Sequence, residues 1–322
     1  MRKLVGASVA TLWASLVVAG AVHGFRPSHD SQARAAAAAS GWTFAAKMPH
    51  RRSYTAAAEV DGKIYVAAGM VGNTGRPLDL LERFDPARNA WQSLAPLPES
   101  FSAAAATSAG RKVYVIGGNT GKPADRSGRQ VFAYDTRRGT WTRKAPLPAI
   151  RTNHAAVTLG GKIYAIGGLD PVQPTRTVYA YDLKKNRWSH VALLPHALHA
   201  QGAVVFKGKI WVLGGRERNG TVTRRVWIYD SRTDRWRAGP TMPEPMEIMG
   251  ATVVRDRIYA VFESITLVYD ARTSRWSRGP SLQVPRHALA LFYVGGRLYA
   301  IGGCIVPQLE DSQVVETLDL RH

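Results

Sequence analysis

Six tryptophans keep fixed company along this 322-residue chain. Trp42, Trp91, Trp141, Trp188, Trp236 and Trp276 are each followed 23 positions later by an aromatic residue: Tyr65, Tyr114, Tyr164, Trp211, Tyr259 and Tyr299. Asp85, Asp135, Asp182, Asp230 and Asp270 each stand six residues before a Trp. The Trp-to-Trp steps are 49, 50, 47, 48 and 40. With a period near 50, each copy is one supersecondary unit that buries its surface against the next. Every unit has the same internal order. A run of small residues (Ala56-Ala57-Ala58, Ala103 to Ala106) comes first. A segment ending in Gly-Gly follows, as in KVYVIGG (112–118), KIYAIGG (162–168), KIWVLGG (209–215) and RLYAIGG (297–303). A segment ending in Tyr-Asp comes third, as in FAYD (132–135), YAYD (179–182) and WIYD (227–230), and the Trp segment closes the unit. Short β-rich runs bounded by Gly and Asp read as four strands per unit.

These motifs resemble the kelch repeat. The resemblance implies an all-β, six-bladed kelch β-propeller over residues 41–322, with four antiparallel strands per blade. The small residues suit the innermost strand, where blades converge. The Trp opens the outer strand and packs between blades, so the Trp residues of the frame are assigned no ligand role. Asp319 has no Trp after it, and Trp42 opens an outer strand with no blade before it. Residues 42–47 are therefore expected to pair with the last blade and close the ring, which removes both free edges. The fifth unit departs from the pattern: Phe262-Glu263 replaces Gly-Gly, and Tyr259 to Asp270 spans only 11 residues. The first departs mildly, with Ala68-Gly69.

Ahead of the repeats, Arg2 and Lys3 precede an apolar run from Leu4 to Ala21 that ends in Ala19-Gly20-Ala21. Residues 1–24 read as a signal peptide or a signal anchor, so an exported chain is expected: periplasmic, secreted, or anchored on the extracytoplasmic side. Residues 25–40 (FRPSHDSQARAAAAAS) read as a flexible linker. Cys304 is the one cysteine, which excludes an intramolecular disulfide and a cysteine zinc cluster. His196 and His199 have no third ligand in sight, and the Gly-Gly pairs precede irregular loops rather than helices. No metal, cofactor or phosphate loop is expected.

Lys and Arg total 43 against 23 acids, a net charge of +20. The turns between first and second strands and between third and fourth strands lie on one face of a propeller, and they carry much of the excess. Lys63, Lys112, Lys209, Arg257 and Arg297 sit in the first set; Arg137, Arg138, Lys184, Lys185, Arg232 and Arg272 sit in the second. This basic face is expected to meet an anionic membrane or wall polymer. Nucleic acid is not expected, because no aromatic residues interleave with the cations.

The opposite face carries Arg52, Arg151 and Arg286, each ten residues after a frame Trp. The resemblance to kelch adaptor propellers implies that these arginines point into the central channel and hold an acidic ligand. An anionic small molecule, acidic sugar or acidic peptide is expected there, with Asn153, His154, His199 and His287 beside it. Glu263 and Glu247, both in the irregular fifth unit, are candidate general bases. The chain is also similar to periplasmic sialic-acid mutarotases. That resemblance implies an alternative activity, a carbohydrate mutarotase or epimerase of the N-acetylneuraminate epimerase type, with Glu217 and Arg224 as its candidate residues. The leading expectation is an exported, monomeric binding protein that recognises an anionic ligand or protein partner and requires no catalysis.

Overall fold

A computed structural model describes residues 41–72, 75–122, 128–306 and 310–321. The leader (1–24) and the linker (25–40) lie outside these residues. No described helix is long and apolar enough to cross a membrane.

Six four-stranded antiparallel sheets form the molecule. Their innermost strands are Ala56–Val60, Ala105–Ala109, Ala155–Leu159, Gly202–Phe206, Gly250–Val254 and Ala290–Val294. Each lies beside the next around the ring, and the sixth lies beside the first. The sixth blade takes its outer strand from the other end of the chain. Trp42–Phe44 pairs antiparallel with Val315–Asp319, with Trp42 opposite Leu318 and Phe44 opposite Glu316. The seam between the last and first blades is packed by Met48, Ile64, Val66, Phe84, Tyr299, Ile301 and Val315.

The frame residues do what their spacing implies. Each frame indole donates a hydrogen bond to a carbonyl of the preceding blade: Trp91 to Ala46 (2.8 Å), Trp141 to Ala95 (3.0 Å), Trp188 to Ala145 (2.9 Å), Trp236 to Ala192 (2.9 Å), Trp276 to Pro240 (2.9 Å) and Trp42 to Pro280 (3.0 Å). The acceptor always stands four residues after the preceding blade's own Trp, so these bonds circle the whole ring. Within a blade the indole packs on the aromatic before the motif Asp, with centroids 4.9–5.3 Å apart.

The motif Asp organises the outer turn. Asp135 accepts from the backbone N–H groups of Arg137 and Arg138, and Asp182 from those of Lys184 and Lys185. The other carboxylate oxygen takes the cation that opens the second strand, as in Lys63–Asp85 and Lys209–Asp230 at 2.5 Å and Arg257–Asp270 at 2.9 Å. These donors hold the motif Asp residues below the usual carboxylate range. Backbone N–H groups lead for Asp135, Asp182 and Asp270, and the Lys63 and Lys209 side chains lead for Asp85 and Asp230.

A second circle surrounds the channel. Tyr54, Ala103, Asn153, Ala200, Ile248 and Ala288, each twelve residues after a frame Trp, all have φ between 49° and 57°. The N–H of each of the last five donates to the carbonyl of the one before, at 2.6–3.1 Å. Left-handed backbone is costly for a β-branched residue such as Ile248, and the hydrogen bond between blades holds it there.

Gly-Gly ends the second strand for a steric reason. A Cβ on Gly118 (φ 96°) would lie 2.7 Å from the Cβ of Ala104 and 2.9 Å from the carbonyl of Ser102. The fifth blade avoids the conflict by turning at once: Phe262 pairs with Ile265, and Glu263 takes φ 53° at the tip.

Candidate functional site

Arg52, Arg151 and Arg286 do not converge on the channel as the sequence led us to expect. Their relative exposures are 0%, 3% and 0%. Arg52 forms an ion pair with Glu82 (2.7 Å) and donates to the Val66 carbonyl. Arg286 pairs with Glu316 (2.5 Å) and donates to the carbonyls of Gly302, Val284 and Ala300. Arg151 donates to its neighbour's carbonyl at Ile150, and its guanidinium lies over the Tyr179 ring at 5.3 Å. Burial pulls all three guanidinium groups below their usual pKa, and Glu82 and Glu316 oppose this for Arg52 and Arg286.

The physical reason is a matched frame position. Three residues before the motif Asp, the blades carry Glu82, Phe132, Tyr179, Trp227, Leu267 and Glu316 in order. Ten residues after the frame Trp they carry Arg52, Phe101, Arg151, Leu198, Met246 and Arg286. Phe101 packs on Phe132 with centroids 5.9 Å apart, and Met246 and Leu267 share one apolar cluster. Arginine therefore stands where the facing residue is Glu or Tyr. An apolar residue stands where the facing residue is apolar.

One position further on lie the residues that border the channel mouth. His199, Glu247 and His287 hold it in the fourth, fifth and sixth blades, and Ser53, Ser102 and Thr152 in the first three. The Glu247 carboxylate opposes the burial that lowers the pKa of both His199 and His287. Glu247 itself is gripped by Arg216, with Nε to Oε2 at 2.8 Å and a second bond through Nη2. Tyr54 reaches toward the same place. Burial pushes its phenol up to about 12, and the charges of Cys304, Glu247 and Asp311 add to the rise. Asp311 accepts from Ser53 Oγ and the Gly72 N–H, both at 2.6 Å. Tyr54, Arg216 and Asp311 were missed from the sequence: Tyr54 shares its frame position with residues as different as Ala103 and Ile248, and Arg216 and Asp311 lie in loops of variable length.

The remaining candidates scatter. His154 is buried, with no hydrogen-bond partner on either ring nitrogen, and burial pushes it down to about 3. The backbone of Asn153 is spent on the channel circle. Glu263 is half-buried, and burial raises its pKa. It makes no ion pair among the described residues: its backbone bridges that of Arg286, whose guanidinium pairs with Glu316 instead. Glu217 is held by Arg225, and Arg224 reaches the Pro243 carbonyl at 3.4 Å. His196 stacks on Trp227 rather than joining His199. Among the described residues no His, Cys, Asp and Glu cluster has metal-binding geometry.

The turn face carries a different chemistry. The motif Asp residues are already engaged: Asp85, Asp135, Asp230 and Asp270 by backbone donors and a second-strand cation, and Asp182 by the backbone N–H groups of Lys184 and Lys185. Arg137, Arg138, Lys184, Lys185, Arg187, Arg235, Arg272 and Arg275 are exposed, with no carboxylate at ion-pair distance among the described residues. Two shallow clefts open on this face. One, of about 460 Å³, is lined by Lys112, Asp135, Arg137 and Arg138. The other, of about 150 Å³, is lined by Lys209, Asp230, Arg235 and Arg237 among others.

Six four-stranded blades joined by a circle of indole hydrogen bonds and closed by the N-terminal strand define a kelch-type β-propeller. The family model for the KLHDC2/KLHL20/DRC7 Kelch-repeats domain matches residues 54–262 and 103–303. The chain belongs to the kelch-repeat family. No curated protein matches it.

Proposed function

We propose that this chain is an exported interaction propeller that recognises an anionic partner through its turn face and performs no catalysis. Its membership of a kelch-repeat family supports an interaction role. One observation carries the anionic partner: turn after turn presents Arg and Lys side chains whose nearby carboxylate is already engaged. The apolar run behind Arg2 and Lys3 supports export. Unpaired exposed cations attract anions at long range and release them in salt. The buried arginines Arg52, Arg151 and Arg286 offer no comparable charge: none is exposed, and Glu82 and Glu316 neutralise two of them.

The test uses fluorescent poly-glutamate and the full chain, read by anisotropy at low and high salt. The variant R137S/R138S/K184S/K185S should lose most of the binding. The loop-face variant R218S/R224S/R225S should retain it. Salt-independent binding, or equal loss in both variants, contradicts the turn face as the binding surface.

A further inference from the structure

We infer that the anionic partner of the turn face is a planar one, the surface of a phospholipid bilayer with anionic headgroups; the inference rests on the function proposed above. In an antiparallel blade the first-to-second and third-to-fourth turns leave from the same end. The pairs Lys63–Asp85, Lys209–Asp230 and Arg297–Asp319 show the two turns side by side in the first, fourth and sixth blades. The free cations are therefore spread around one rim rather than gathered in a pocket. A small anion can engage one turn at a time, and a rod-like duplex only the turns beneath it. A plane of phosphates reaches all of them at once without any loop rearranging.

The two clefts agree with this. Each is open, sits at one blade's turns and brings several cations around a single Asp, a size and charge suited to one phosphodiester headgroup. The exposed large apolar side chains among the described residues are Phe44, Val172 and Leu193. Phe44 is in the closing outer strand, Val172 is in a loop of the opposite face, and Leu193 follows an outer strand. None sits in a turn of the basic face, so among the described residues that face offers no apolar wedge to hydrocarbon. Adsorption is electrostatic, peripheral and reversible.

The experiment is co-sedimentation of the full chain with vesicles of phosphatidylcholine alone and with about 30% phosphatidylglycerol, an anionic surface of biological strength. The readout is the difference between the two vesicles, compared between parent and turn variant, because both keep Arg2 and Lys3 ahead of the apolar N-terminal run and so share its contribution. The chain should prefer the anionic vesicles, and about 0.5 M NaCl should abolish the preference as the Debye length falls to a few ångströms. Each cation near such a surface contributes roughly a fivefold factor, so R137S/R138S/K184S/K185S should lower the preference by about a hundredfold or more. R218S/R224S/R225S should leave it intact. Displacement by millimolar inorganic phosphate would assign the clefts to free phosphate and overturn the bilayer. Displacement by duplex RNA, with binding of that RNA lost in the turn variant, would overturn it in favour of nucleic acid. Equal binding to both vesicles overturns it too. If poly-glutamate still binds in that case, the anionic-partner function survives; if neither probe binds, both fall.

Discussion

Arg52 and Glu82 exchange charge inside a blade that admits water to neither (0% and 1% exposed). Removing one member of such a pair strands the other. We expect E82L to cost about 3–5 kcal/mol in urea unfolding, because the guanidinium cannot be rehydrated in place. The fifth blade already shows the apolar solution, with Met246 and Leu267 at the same two positions. R52M/E82L should therefore recover to within about 1–2 kcal/mol of the parent; a double variant no better than the single would show that the two positions are not matched. His154 gives a second prediction. Its folded pKa is pushed down to about 3, below its unfolded value, so its neutral form contributes stability that is complete above about pH 6.5 and is lost as pH falls toward 3. At about 1.4 kcal/mol per unit, acidification from pH 7 to 5 should cost up to about 2 kcal/mol from this ring alone. Gln201 occupies the equivalent position in the next blade and donates to the Ile166 carbonyl at 2.6 Å. H154Q should fold at pH 7 and flatten the pH dependence; an unchanged slope of melting temperature against pH would exonerate His154.

At the scale of strands and blades, much was legible because the frame is repeated. Trp42 without a preceding blade and Asp319 without a following Trp already pointed to closure by the N-terminal strand, and Trp42 does pair with Leu318. The fifth blade's missing Gly-Gly correctly marked a shortened loop, seen as the tight turn at Glu263 and Ser264. The arginines were misplaced for a reason that was also in the sequence. Glu82, Tyr179 and Glu316 stand three residues before the motif Asp in the same three blades that carry Arg52, Arg151 and Arg286, so the partners share the repeat frame with the arginines. Of the cluster of Tyr54, Arg216, Glu247 and Asp311, Glu247 stood out in the sequence; Arg216 and Asp311 did not, because they lie in second-to-third-strand loops whose lengths vary from blade to blade. Closure itself can be tested. Deleting residues 42–47 removes a strand, the indole bond from Trp42 to Pro280, and the Ala46 carbonyl that receives Trp91. It also bares the edge at Val315–Asp319. The truncated chain should aggregate or lose its cooperative melt, whereas W42F, which deletes the indole N–H and leaves a small cavity but keeps the strand, should lower melting by several degrees and stay monomeric in size-exclusion chromatography.

The whole molecule carries a net charge of +20, and its turn face holds cations with no carboxylate of their own. Like charges on one rim repel, so the fold should gain stability when salt screens them. Acid sharpens the effect. The motif Asp residues titrate below the usual carboxylate range in the fold, so their contribution is complete above about pH 4, the unfolded value, and is lost as pH falls through the depressed folded values. Protonating them also uncovers Lys63, Lys209 and Arg257, which adds positive charge to a face already in excess. The melting temperature should therefore rise with added NaCl, and rise more steeply well below pH 4, where the motif Asp residues are protonated in the fold, than near pH 7. R137S/R138S/K184S/K185S removes four of the repelling charges without touching the Asp, Trp or Gly-Gly frame. It should melt no lower than the parent at low salt and show a shallower dependence on NaCl. Differential scanning calorimetry of both proteins across salt and pH decides the matter. Equal salt slopes in parent and variant would mean that the turn cations do not repel one another enough to matter to the fold.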